Sequence, residues 1–179
     1  MAASVAPLTV EQFLALPEEL TLRKELIDGE MVDMGSANWD HEIVKGLITA
    51  RLGAYALQNS HLFCAPESMF RVAPGNALIP DVAMVAMEDA KRASNAKTHP
   101  IAPILAVEIV SSEQSRRAMK KVKRYLEAGA RAVWLVYPEE EWIEVIYPDF
   151  TARYIRKHET IEEPALLPGF SLRLAELFS

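Results

Sequence analysis

Cysteine is almost absent from this 179-residue chain. The single thiol, Cys64, cannot close an internal disulfide, and with four histidines no four-ligand zinc pattern can be assembled. Long apolar runs are missing as well: none approaches the ~20 residues of a membrane-spanning helix. The opening MAASVAPLTV lacks a charged segment followed by an apolar one. A soluble, cytoplasmic protein with no membrane partner is therefore expected. A basic excess is also lacking, because 19 Lys and Arg stand against 25 Asp and Glu, for a net charge of -6. That balance argues against coating nucleic acid by bulk charge but leaves room for a local basic patch. Disorder-prone composition is absent too, and 50% hydrophobic residues predict one globular domain over residues 1–179, burying roughly 70% of its unfolded surface.

Thr9-Val10-Glu11-Gln12 has capping-box spacing, with Leu8 and Phe13 placed as a hydrophobic staple, so a short helix should run to about Leu16. Asp28-Gly29 sits between two short apolar runs and predicts a type I′ hairpin across residues 23–34, with Glu25 and Glu30 at its edges. Over residues 38–57, Ile43, Val44, Leu47, Ile48, Leu52 and Tyr55 form one helical stripe, which places His41 inward and Glu42 outward. Arg51 falls in the middle of that stripe and requires a carboxylate partner, a snorkelled head or a subunit interface.

Strands are predicted at residues 62–72, 78–87 and 104–110, the last two nearly continuous in apolar residues, as for strands covered on both faces. Residues 88–99 read as a surface loop or short helix. A helix capped by Ser112 or Ser115 should end before Gly129. Strands at 132–137, 142–147 and 152–156 follow, and a short helix at 174–178 closes the chain. The order predicts an α/β architecture on a mixed central sheet.

Two carboxylates stand inside apolar strands: Asp81 in Ile79-Pro80-Asp81-Val82 and Glu108 in Val107-Glu108-Ile109. Desolvating an unpaired carboxylate costs several kcal/mol or neutralises it, so each needs compensation. If both lie on one face they suit a hard divalent cation such as Mg²⁺. In the following helix Ala118, Met119, Val122, Tyr125 and Leu126 make the buried stripe, Lys121 sits on its border, and Lys120 and Arg124 project outward. Arg116, Arg117, Lys120, Lys123 and Arg124 read either as a solvated basic face or as contacts for a nucleic-acid backbone. Two acids, a metal and a lysine make chemical sense for phosphodiester hydrolysis.

The sequence also resembles a known family, the Uma-type restriction endonucleases of the PD-(D/E)xK nuclease superfamily. The resemblance rests on Leu8-Thr9-Val10-Glu11-Gln12-Phe13-Leu14, Glu25-Leu26-Ile27-Asp28-Gly29-Glu30, His41, Pro80-Asp81-Val82 and Val107-Glu108-Ile109-Val110-Ser111. Lys121 four residues before Tyr125 and Leu167-Pro168-Gly169-Phe170 complete it. It implies a restriction-endonuclease-like core of a mixed sheet flanked by helices, with Asp81 and Glu108 binding Mg²⁺ (Mn²⁺ as an alternative). It further implies Lys121 as the catalytic cation, His41 near the site, DNA as substrate and a homodimer. In the superfamily pattern the lysine lies two residues after the acid, where this chain has Val110; in the family it is carried on the next helix, as Lys121 is. One departure stands out: the aspartate usual four residues before that lysine is Arg117, in a loop shortened to Ser111-Ser112-Glu113-Gln114. Glu113 could replace it only if the loop folds back. A catalytically silent binding or assembly module on the same fold is the alternative, and hydrolysis of another phosphoester would use the same site.

Overall fold

The computed structural model describes residues 6–35, 38–111 and 115–178. Three sheets organise them. A six-stranded mixed sheet has the order β10-β9-β8-β7-β6-β3, built from β3 (Leu62–Pro66), β6 (Val82–Ala86), β7 (Leu105–Ile109), β8 (Ala132–Tyr137), β9 (Trp142–Ile146) and β10 (Ala152–Arg156). Only β7 and β8 run parallel, joined by the crossover helix α5 (Ser115–Glu127). A four-stranded antiparallel sheet, β2-β1-β5-β4, contains β1 (Lys24–Ile27), β2 (Glu30–Asp33), β4 (Phe70–Ala73) and β5 (Asn76–Leu78). A hairpin of β11 (Thr160–Glu163) and β12 (Leu167–Arg173) is the third.

The two faces of the large sheet carry different cargo. On one, α3 (Trp39–Gln58) buries Val44, Ile48, Leu52 and Ala56 against Val82, Met84, Leu105, Val107 and Trp134, and the β11–β12 hairpin adds Leu167, Phe170 and Leu172. On the other, α5 packs Ala118, Val122, Tyr125 and Leu126 over Ala106, Val110, Val133 and Leu135, together with Ile27 and Leu78 of the small sheet. The side-chain alternation of each strand divides its residues between these two layers.

Local chemistry is realised largely as the sequence predicts. The Gln12 N–H donates to Thr9 Oγ1 at 3.2 Å while the Thr9 N–H donates to Gln12 Oε1 at 2.8 Å, closing the capping box on α1 (Val10–Leu14). Asn38 caps α3 by accepting from the His41 N–H at 2.9 Å. Asp28 and Gly29 take φ of 53° and 82°, the left-handed pair a type I′ turn requires. Two predicted strands are each divided. Residues 62–72 break at Glu67, whose φ is 47°, and residues 78–87 break at Ile79-Pro80-Asp81, where Pro80 has no N–H for a ladder. The short helix α4 (Met87–Arg92) begins just before residues 88–99 and covers their first part, and a 3₁₀ turn, Leu174–Glu176, stands where the last helix was predicted. The β11–β12 hairpin escaped the periodicity reading because its second strand contains Pro168 and Gly169, and its register shifts at Glu162/Glu163. Before α5, Ser112 lies outside the described residues, and Ser115 is the helix's first residue.

In α3, Ile43 is exposed rather than part of the buried stripe. Arg51, expected in the middle of that stripe, is instead exposed, and it pairs with Glu176 in the C-terminal turn.

Two glycines should respond oppositely to alanine. At Gly29 a Cβ would stand 2.4 Å from Pro7 Cβ, and φ is positive. Gly46 lies exposed within α3, and its Cβ would meet nothing within 4 Å. Gly29→Ala is expected to lower unfolding stability by about 1–2 kcal/mol or more. Gly46→Ala should raise it by about 0.5–1 kcal/mol, both read by denaturant titration.

Candidate active site

Asp81 and Glu108 share a face. The β6–β7 register pairs Val82 with Val107, and the residues next along the chain are Asp81, just before β6, and Glu108. Alternation then turns both carboxylates toward the layer of α5 and the small sheet. They line a narrow cleft of about 60 Å³ with Glu25, His41, Ile79, Arg117 and Lys121.

Asp81 is held at both oxygens. His41 Nε2 lies 3.0 Å from its Oδ1, and the Ile109 N–H donates to its Oδ2 at 2.7 Å. The strand break at Pro80 creates this arrangement, since Asp81 leaves the ladder and its carboxylate takes over an N–H of the neighbouring strand. Glu108, 7% exposed, accepts from Lys121 Nζ at 2.7 Å on Oε2 and from the Tyr125 hydroxyl at 2.9 Å on Oε1.

Lys121 is more deeply placed than a border residue, at 5% exposure. Its ammonium reaches Glu108 and Glu25 at 2.7 Å each and donates to the Ile79 carbonyl at 2.9 Å, so all three of its protons have acceptors. The buried face of α5 is consequently centred on Lys121 and Tyr125, and Met119, predicted inside, is exposed. A hydrophobicity wheel cannot register a buried lysine whose partners lie on other strands. Val110, two residues after Glu108, is buried among apolar side chains.

Glu25 is the site residue that the sequence reading missed. It is 1% exposed, accepts from the Ile79 N–H at 2.7 Å, and meets Arg117 at 2.7 Å as well as Lys121. The signal was available in the alternation of β1, where Glu25 shares its face with Ile27, a residue of the buried layer. Arg117, at the position usual for an aspartate, therefore neutralises Glu25, and it also donates to the Asp33 carbonyl.

The remaining basic residues of α5 divide. Arg124 is drawn onto Asp28 and Glu127, whereas the sequence placed it outward. Lys123 approaches Glu127 at 3.7 Å. Arg116 and Lys120 are exposed, with no ion pair among the described residues. Glu113 lies outside those residues.

Burial is the main force on the Glu108 carboxyl and pushes its pKa up to about 8. The Lys121 ammonium pulls it down, while Asp81 and Glu25 add to the rise. Burial also opposes the charge on Lys121, but Glu108 and Glu25 outweigh it and hold the ammonium above its ordinary value. Lys121 is thus a fixed positive charge at neutral pH. The Tyr125 phenol is raised well above its ordinary value by burial and then by Glu108.

Among the described residues no group of three or more His, Cys, Asp or Glu side chains forms a ready metal cage. A closed site of the zinc type is therefore not formed among the described residues. This does not conflict with Mg²⁺, which binds through one or two carboxylates and keeps several waters. Three carboxyl groups face one lysine and one arginine across a small cleft, and a divalent cation there would oppose the effect of burial on Glu108 and favour its ionised form. The donor set fits such an ion.

The α/β fold with a mixed central sheet is shared with a protein of solved structure. The crystal structure described as a putative nuclease belonging to DUF820, from Anabaena variabilis ATCC 29413, superimposes with a TM-score of 0.85. The match covers 96% of this chain and 98% of that one at 21% sequence identity. The family described as Putative restriction endonuclease, Uma2, matches residues 10–175, and the chain belongs to it. No curated protein matches the chain.

The raised Glu108 pKa makes stability pH-dependent in the metal-free protein. The folded state holds a proton that the unfolded carboxyl releases near its ordinary value, so this contribution is full below about pH 4.3 and lost as pH rises toward 8. In EDTA, the parent's Tm should fall across pH 5–8 by several degrees more than that of Glu108→Gln. Parallel slopes for the two proteins would contradict the raised value.

Proposed function

We propose that the protein is a divalent-metal-dependent nuclease that hydrolyses DNA phosphodiester bonds, with Asp81 and Glu108 holding Mg²⁺ or Mn²⁺ and Lys121 as the catalytic cation. The observation that carries this reading is that Asp81 and Glu108 line one cleft with the Lys121 ammonium 2.7 Å from Glu108. When bound, the metal supplies a water of lowered pKa and neutralises charge on the phosphate.

The chain's own residues prepare the ground for that chemistry. The Ile109 N–H and His41 fix the Asp81 carboxylate from two sides. Tyr125 fixes one oxygen of Glu108, leaving the other to Lys121. Because Lys121 keeps its proton, its role is to stabilise developing negative charge and to orient a water, not to act as a general base. Glu25 and the Ile79 carbonyl hold the ammonium in register with Glu108. Arg116, Lys120 and Lys123 on the outer face of α5 are the cations best placed to meet a phosphate backbone, with Arg117 and Arg124 engaged in bridges to the small sheet.

A second reading, a binding module without catalysis, has its own support. Both oxygens of Asp81 and both of Glu108 already have hydrogen-bond partners, and Arg117 stands where the family usually has an aspartate. Incubation of labelled DNA with Mg²⁺ or Mn²⁺ separates the two. Cleavage abolished by EDTA and lowered at least about 100-fold in both Glu108→Ala and Lys121→Ala supports the nuclease. Equal rates in the parent and both variants remove these residues from the chemistry, and salt-dependent binding without cleavage selects the module.

A further inference from the structure

The same sheet face that carries the two carboxylates continues into a row of aromatic rings. Through the strand registers, Glu108 on β7 stands beside Leu135 on β8, Glu144 on β9 and Tyr154 on β10, and the adjoining row holds Tyr137, Trp142 and Arg156. Tyr137 and Trp142 stack with centroids 4.6 Å apart and planes 8° from parallel, and Trp142 and Tyr154 follow at 5.0 Å. The row runs outward from the core. Tyr137 is 8% exposed, and Tyr154, at the end, is 55% exposed. The Tyr154 hydroxyl is hydrogen-bonded to Glu144 on β9, while much of its ring lies open on the edge strand.

This row is continuous with the candidate active site. A cleft of about 310 Å³ shares His41, Ile109 and Val110 with the carboxylate cleft, and it shares Glu141 and Lys157 with the hollow lined by Trp142, Tyr154, Arg156 and His158. From Glu108 to Tyr154 is three strand spacings, about 14 Å. At a rise of about 3.4 Å per stacked nucleotide, that is the reach of about four nucleotides.

Charge narrows the occupant. Duplex DNA shows a protein two phosphate backbones and hides its bases. The surroundings here are poorly cationic: Asp40, Glu139, Glu140 and Glu141 line the clefts, Lys157 is paired with Glu141 at 2.6 Å, and the whole chain carries -6. An unpaired strand can instead lay its bases on the rings and turn its phosphates to solvent, meeting few acidic groups. Base–aromatic stacking provides that affinity without a dense basic groove. Arg156, exposed and without an ion pair among the described residues, is available to the strand.

We propose that the row Tyr137–Trp142–Tyr154 is a stacking platform for an unpaired stretch of DNA, so that the substrate of the site is single-stranded or locally melted. This rests on the nuclease reading for its consequence, but its test does not use cleavage. Glu108→Gln protein in EDTA is titrated against a fluorescein-labelled 16-nucleotide single strand and the matching duplex, followed by anisotropy at fixed salt. The single strand should bind at least tenfold more tightly. Tyr154→Ala and Trp142→Ala should each weaken it about five- to hundredfold, with binding restored in Tyr154→Phe and Trp142→Phe. Because Trp142 is partly buried, Tyr154→Ala is the deciding variant, and its Tm should match the parent's. Equal or tighter duplex binding overturns the proposal, as does unchanged single-strand binding in Tyr154→Ala. A change of oligomeric state in that variant, seen by sedimentation, would assign the rings to a contact between copies and overturn it equally. A protein that binds in this way but cleaves nothing would sink the nuclease reading and leave the platform standing.

Discussion

A lysine sealed between two glutamates joins the helix, the large sheet and the small sheet at the candidate active site. Lys121 comes from the crossover helix α5, Glu108 from the central strand β7 and Glu25 from the hairpin of the small sheet, and no two of them are near in sequence. Each charge is costly to bury alone, and removal of one partner of such a set typically costs about 3–5 kcal/mol. The triad is tolerable because its neighbours complete it: Arg117 on Glu25, Tyr125 on Glu108, and backbone groups of Ile79 on both Glu25 and Lys121. The helix, the large sheet and the small sheet are therefore aligned by electrostatics as well as by apolar packing.

That constraint explains the distribution of charge along α5. Ala118, Val122, Tyr125 and Leu126 give the helix its grip on the sheet, and Lys121 among them aims at the carboxylates. On either flank, Arg117 and Arg124 bridge to Glu25 and Asp28 of the hairpin, one at each end of β1. Much of what reads as a basic face in the sequence thus serves to dock the hairpin, and the cations left over for a ligand are fewer than a residue count suggests.

The legibility of the molecule from its sequence followed the range of the interactions. Local devices were readable: the capping box at Thr9, the Asp28-Gly29 turn, and the strand over residues 132–137 all depend on neighbours within a few positions. Asp81 and Glu108 were readable as anomalies, because an acid in an apolar strand signals a partner even when the partner is unknown. Glu25 was not, since it lies near the start of a short strand where a charge is unremarkable, and only the packing of β1 beneath α5 buries it. Lys121 was half readable. Spacing put it at the border of the stripe, but its burial depends on acids supplied from two other elements. The β11–β12 hairpin was hidden for a different reason, because Pro168 and Gly169 sit in a peripheral strand that pairs on one side only.

Ile79 connects the small sheet to the large one, and neither of its peptide groups is spent on a strand ladder. Its N–H goes to Glu25 and its carbonyl to Lys121, so the residue serves the site entirely through its main chain. Both contacts are therefore made by main-chain atoms rather than by the side chain. Proline alone would delete the donor. The polypeptide itself at this position is as much a part of the candidate site as the charged groups around it.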